Sequence, residues 1–162
     1  MEAEGPSASS TRVERLRGWI LVILVLGLAG TVTELVLLSH YEQPLQLVPL
    51  VLIALAMLTL VWHAIRGSSH SLSAILIVMI LFVAAGFAGF LAHFQGAAEF
   101  QLDLDSSIST WNLLMKVLHA KAPPLLAPGM MIQLGLLGLS YVLSDSSYRA
   151  RMLSGSGVLA KE

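Results

Sequence analysis

The chain has 162 residues, of which 56% are hydrophobic and only 12% are charged, and its formal net charge is −1. Such a composition excludes an ordinary soluble domain, because too few polar side chains are present to cover a protein of this size. The sequence has no basic patch large enough to suggest binding of nucleic acid. The absence of cysteine excludes disulfides, thiolate metal sites and cysteine nucleophiles.

Four apolar segments are each close to the roughly 20 residues that a helix needs to cross about 30 Å of hydrocarbon. They cover residues 19–38, 45–65, 72–92 and 125–143. Helices are expected because a helix pairs its own backbone amides, which are costly to leave unpaired in lipid. The first segment is too long for a cleaved secretory signal, so we interpret it as an uncleaved anchor. The sequence therefore predicts an all-α integral membrane protein, an antiparallel bundle of four transmembrane helices.

The basic residues predict the orientation of these helices, because cytoplasmic segments carry an excess of lysine and arginine. Seven of the nine basic residues fall on one side of the predicted membrane. They are Arg12, Arg15, Arg17, Arg66, Arg149, Arg151 and Lys161. We therefore expect both termini in the cytoplasm, with residues 1–17 a disordered N-terminus and residues 144–162 a solvated tail.

Small residues recur within the first, third and fourth segments, where they let helix backbones approach closely. They include Gly27, Ala29, Gly30, Ala84, Ala85, Gly86, Ala88, Gly89, Gly135 and Gly138. A compact bundle is expected from this pattern.

The third connection, residues 95–124, is long enough to hold structure of its own on the extracytoplasmic side. Residues 99–105, E-F-Q-L-D-L-D, alternate polar and apolar side chains, which is typical of an extended strand. Residues 106–120 change to helical spacing and predict an amphipathic helix in the outer interface, capped by Asp105, Ser106 or Ser107. We expect this connection to fold over the mouth of the bundle as a polar cap.

Three stretches stand in the order E-L-V-L-L-S-H-Y-E-Q-P, E-F-Q-L-D-L-D and A-P-P-L-L-A-P-G-M-M-I-Q-L-G-L-L-G-L. This order resembles that of small four-helix proteins of the bacterial inner membrane, over most of residues 18–143. The resemblance implies that location and architecture. It implies no activity and no catalytic residue.

Glu34 and Gln133 are the polar residues inside the predicted spans that we consider as functional candidates. Glu34 is the one ionisable residue there, and such residues often mark proton or ion pathways. The alternative is a structural carboxylate that hydrogen-bonds to a neighbouring helix or to His93. Gln133 lies deeper in the fourth segment, where we expect a hydrogen bond across the bundle.

Histidines near both membrane faces suggest two cofactor hypotheses. His40 and His93 follow the outer ends of the first and third segments, and His63 and His70 lie at the inner ends of the second and third. Two such pairs are what a two-haem b-type cytochrome needs, although all four histidines lie at the interface instead of inside it. The outer face also collects acids and a further histidine that could suit a divalent cation, but without a fixed ligand spacing. These are Glu42, Glu99, Asp103, Asp105 and His119.

No nucleophile elbow, P-loop, zinc-protease or dinucleotide-binding pattern occurs, so an enzyme is the least favoured class. The sequence predicts a non-enzymatic polytopic membrane protein, an accessory or interaction subunit of a membrane complex, with no cofactor. Its expected partners are the lipid bilayer and a membrane protein or further copies of itself. One alternative is a small oligomeric proton or cation transporter or channel using Glu34. The other is a haem- or metal-binding redox protein.

Overall fold

The computed structural model describes residues 6–119, 126–146, 148 and 150, and this part of the chain is helical with no strand. The helices are α1 (Pro6–Leu37), α2 (Pro44–Arg66), α3 (Ser69–Leu104), α4 (Thr110–Leu118) and α5 (Leu126–Leu143). All but α4 are long and apolar enough to cross a membrane. The prediction of an all-α chain with four long apolar helices is confirmed.

Helix α1 begins at Pro6, well before the predicted start at residue 19. Much of the predicted disordered segment, residues 1–17, is therefore helical, and residues 1–5 lie outside the described part. The physical reason is that extending an existing helix costs far less than nucleating one. The apolar half of α1 supplies the nucleus, and the arginines that precede it are good helix formers.

Helix α3 continues to Leu104, so the prediction of a strand over residues 99–105 is wrong. The alternating pattern had no second strand to pair with, and an isolated strand leaves its backbone unpaired. Glutamate, glutamine and leucine in this stretch favour continuing the helix. Over its 36 residues α3 extends about 54 Å.

Asp105 ends α3 instead of starting the next helix. Its carboxylate accepts hydrogen bonds from the Ser107 hydroxyl at 2.7 Å and the Ser107 backbone N–H at 3.1 Å. These bonds lower the pKa of Asp105, since both favour the charged form. The amphipathic helix predicted over residues 106–120 is the shorter α4, whose N-cap is Ser109, and residues 120–124 lie outside the described part.

The long helices pack around α3 and α5, which share the most extensive contact in the molecule. Helix α2 packs against α3, and α1 packs against α5 and more weakly against α2. The core side chains are apolar and come from all four helices. They include Leu24, Leu28, Ile53, Ile75, Met79, Phe82 and Val142. Helix α1 is thus peripheral, and one side of it is left uncovered.

Glycine allows the close approach of α3 and α5. A Cβ added at Gly135 would lie 2.9 Å from the Met79 carbonyl oxygen, and one added at Gly86 would lie 2.9 Å from the Pro128 carbonyl oxygen. A Cβ added at Gly27 of α1 would instead meet the side chain of Leu134 of α5. The absence of a side chain at these positions lets the helix backbones come together.

Candidate functional site

A cavity of about 410 Å³ lies between α1, α2, α3 and α5, at the end of the helices where α1 joins α2. Most of its lining residues are apolar. These are Leu35, Leu45, Val48, Pro49, Ala85, Ala88, Gly89, Ala92, Ala127, Pro128 and Met131. The polar lining residues are Thr31, His40, Gln43, Gln46 and His93.

Small residues of α3 create this space. Ala85, Ala88, Gly89 and Ala92 are spaced by three and four residues, so they form one stripe along the helix. Gly86 lies one position to the side and is closed against α5. Neighbouring small residues in the sequence therefore serve two purposes, since some bring helices together and others leave room between them.

Two histidines meet at the polar end of the cavity. The rings of His40 and His93 are stacked, with centroids 6.1 Å apart and planes at 28°. His40 follows Ser39, whose φ of 52° turns the chain back so that the His40 N–H donates to the Leu35 carbonyl at 2.8 Å.

Burial and the neighbouring His93 charge lower the pKa of His40, in that order of size. The folded protein therefore binds a proton at this site less readily than the unfolded chain does. Protonation costs stability as the pH falls below the usual histidine pKa of about 6.5. At neutral pH the His40 ring is uncharged and offers one donor and one acceptor nitrogen.

The start of α2 supplies further polar groups. The Gln46 side-chain oxygen accepts hydrogen bonds from the backbone N–H of Glu42 at 3.0 Å and of Gln43 at 3.1 Å. Pro49, inside α2, has no N–H, so the Leu45 carbonyl lacks its usual helical donor. Both Leu45 and Pro49 line the cavity, so this gap in the helical hydrogen bonding lies among its lining residues.

Glu34 does not line this cavity. It lies on the exposed side of α1, in a shallow surface hollow, and no hydrogen bond or ion pair holds its carboxylate among the described residues. The hollow is lined by Leu26, Ala29, Gly30, Thr33, Leu37 and Leu38 besides Glu34 itself. The sequence-based hypothesis of a bond to a neighbouring helix or to His93 is therefore not what the structure shows.

Gln133 likewise lies on the exposed side of α5. Its amide makes no hydrogen bond to a described residue, so the expected bond across the bundle is absent from that part of the chain. Glu34 and Gln133 thus both face outward from this single chain.

The predicted outer acidic cluster is dispersed. Glu42, Glu99, Asp103 and Asp105 are exposed, and the His119 ring bonds the Met115 carbonyl of its own helix at 2.9 Å. Within the described ranges no three histidine or acidic side chains come close enough together to hold a metal ion.

The expected polar cap over the cavity is not formed by the described residues. Helix α4 contacts α3, and no residue of α4 lines the cavity. Apolar side chains of this connection remain exposed, with Phe100 62% and Trp111 65% exposed.

The histidines do not fit the haem b hypothesis. His63 bonds the Ser71 hydroxyl at 2.8 Å, whereas His70 is exposed, so the second pair is not assembled. His40 and His93 do lie together, with ring centroids 6.1 Å apart, but with only one of the two pairs assembled the arrangement does not fit a two-haem cytochrome.

A charged cluster at the opposite end of the helices was missed by the sequence reasoning. Arg17 of α1 pairs with Asp145, just after α5, at 2.8 Å, and its guanidinium carbon lies 4.7 Å from the centre of the Tyr141 ring. His63 packs edge-on against the same ring. The available signal was that Arg17 precedes the first apolar segment and Asp145 follows the fourth. In antiparallel helices these two positions lie at the same end of the bundle. Residues from 144 onward were instead interpreted as a solvated tail.

Comparison of the chain with protein-family models, curated proteins and solved structures finds no match. Its function is therefore inferred from its own geometry.

Proposed function

We propose that the protein spans the bacterial inner membrane as an antiparallel four-helix bundle, with both termini in the cytoplasm, and acts as a non-enzymatic interaction subunit of a membrane complex. The four long apolar helices support the insertion. The distribution of arginine and lysine supports the orientation. The exposed side of α1 supports the interaction role.

The proposed orientation predicts a labelling pattern. The chain has no cysteine, so single cysteines can be introduced one at a time and treated with a membrane-impermeant thiol reagent in intact cells. We expect labelling at Ser107→Cys, after α3, and none at Ser10→Cys until the cells are opened. The reverse pattern would overturn the orientation, and equal labelling of both in intact cells would overturn the insertion.

The interaction role rests chiefly on Glu34. An ionisable side chain turned towards lipid is costly, and such residues normally face other protein or water. Beside Glu34, Ala29 and Gly30 leave the backbone of α1 accessible, and a Cβ added at Gly30 would meet nothing within 4 Å. Small residues next to a polar side chain are what close packing of two membrane helices requires. A helix of another subunit therefore packs on this side of α1.

A site-specific photocrosslinker tests this surface. Placed at Thr33, on the exposed side of α1, it is expected to give one discrete crosslinked product in membranes. Placed at Leu28, which is fully buried on the same helix, it is expected to give none. The mass of the product distinguishes a second copy of this chain from a different subunit.

Substitution of Glu34 tests its contribution. Glu34→Leu is expected to weaken the association by about 1–2 kcal/mol, roughly 5- to 30-fold, because an interhelical hydrogen bond is lost. Glu34→Gln retains hydrogen-bonding capacity and is expected to keep most of the crosslinking. Equal crosslinking from Thr33 and Leu28 would contradict the proposal. Undiminished crosslinking in the Glu34→Leu variant would also contradict it.

The same position of Glu34 leaves one competing function, a proton or cation channel formed by several copies, with the carboxylates lining a shared path. Ion flux in liposomes that is abolished by Glu34→Gln would favour the channel. A single crosslinked partner without flux favours the interaction subunit.

A further inference from the structure

The cavity between the helices has the form of a site for an amphiphilic molecule. Its apolar part is built from Ala85 and Ala88 of α3 and Met131 of α5, and its polar end from His40 and His93. The stretch of α3 from Ala85 to His93 covers about 12 Å. The volume of about 410 Å³ lies within the range of about 300–1,000 Å³ that is usual for small-molecule pockets.

The charge of the lining selects the kind of head group. Among the described residues, none of those lining the cavity is lysine, arginine, aspartate or glutamate. A phosphate or carboxylate head group would find no lysine or arginine among the described lining residues to pair with, and leaving such a charge unpaired is costly. The lining therefore favours an uncharged head group. The lowered pKa of His40 agrees with this, since its ring is neutral at pH 7.

The hydrogen-bonding groups of the lining narrow the choice of head group further. The uncharged His40 ring at the polar end offers one N–H donor and one nitrogen acceptor, and the Leu45 carbonyl is an acceptor without its helical donor. A head group with carbonyl oxygens can accept from a ring N–H, and one with hydroxyls can donate to a ring nitrogen or to the Leu45 carbonyl. A flat ring also suits the neighbourhood of the stacked His40 and His93.

We propose that this cavity binds a membrane quinone or its quinol, with the ring at the His40–His93 end and the isoprenoid tail along the small residues of α3. The quinone class combines an uncharged planar head, carbonyl or hydroxyl groups and an apolar tail. The proposal rests on the membrane placement given above but not on association through α1.

Binding is tested with the purified full-length protein in detergent, titrated with decylubiquinone. We expect one saturable site. Gly89→Leu should weaken binding at least about tenfold, because a Cβ there meets only Pro128 at 3.6 Å and the longer side chain fills the cavity. Gly96→Leu is the matched control on the same helix, where an added Cβ meets nothing within 4 Å, and should bind as the wild type does.

Two further measurements keep the test decisive if Gly89→Leu does not fold. A photoreactive quinone on the wild-type protein should label peptides that line the cavity, and the double variant His40→Leu/His93→Leu should lose that labelling while Glu34→Leu retains it. Dioctanoylglycerol, an uncharged lipid without a ring, should compete poorly. Equal binding by the Gly89 and Gly96 variants, labelling outside the cavity, or full displacement by dioctanoylglycerol would each overturn the quinone assignment.

Discussion

Asp145→Asn is expected to lower the free energy of unfolding by about 2–4 kcal/mol, because it leaves the Arg17 guanidinium partly buried without its counter-charge. The side chains of Arg17 and Asp145 are only 20% and 12% exposed, so water replaces the lost partner poorly. The Arg17 Nε is buried and has no hydrogen-bond partner among the described residues. Asparagine keeps the shape and the oxygen that accepts the Tyr148 N–H at 3.1 Å, so the substitution isolates the charge.

The measurement is unfolding of the purified protein in mixed micelles, titrated with a denaturing detergent. Arg15→Met is the matched control for the single change Arg17→Met, since it removes the same charge from an exposed position on the same helix. It is expected to change stability by less than about 0.5 kcal/mol. The double variant Arg17→Met/Asp145→Asn should cost clearly less than the sum of the single changes, because neither charge is then left alone. Strict additivity would show that the pair is not coupled.

Gly135→Ala is expected to cost about 1–3 kcal/mol of stability, because the new methyl group has no room between α3 and α5. It would lie 2.7 Å from the Val83 side chain and 2.9 Å from the Met79 carbonyl oxygen. A backbone oxygen cannot rotate away as a side chain can, so the two helices must separate. The helices concerned share the largest contact in the structure, and their separation loosens the whole core.

Gly129→Ala is the control for Gly135→Ala. It changes the same residue type on the same helix, at a position where an added Cβ meets nothing within 4 Å. Its stability should stay at or slightly above that of the wild type, since alanine favours helix more than glycine does. Thermal unfolding in detergent compares the two variants. Equal losses at the two positions would contradict the assignment of the effect to the contact with Met79.

The four long helices could be predicted from the sequence because chain length and hydropathy nearly dictate them. The register between the helices could not. Gly86 and Ala85 are adjacent and equally small, yet one closes a helix contact and the other opens a cavity. Which of them faces α5 depends on how α3 is rotated about its own axis, and this rotation cannot be deduced from composition alone.

The candidate site was predictable to the same limited degree. His40 and His93 were recognised as a pair at one end, and the structure stacks them. The outward position of Glu34 depends on the side of α1 that meets α5, which the even hydrophobicity of that helix does not reveal. The link between Arg17 and Asp145 joins distant parts of the sequence and needs the packed helices before it can be seen.

The unbroken length of α3 has a mechanical consequence for α4. With no proline or other break between Ser69 and Leu104, the position of α4 is set by one continuous helix, in which each residue adds about 1.5 Å of rise and about 100° of rotation about the axis. The distance of α4 along the axis and its angle around the axis therefore cannot vary independently. A one-residue insertion near Gly96 would rotate α4 around the axis of α3. An insertion of seven residues would move α4 about 10 Å along that axis and return it to nearly the same angle around it.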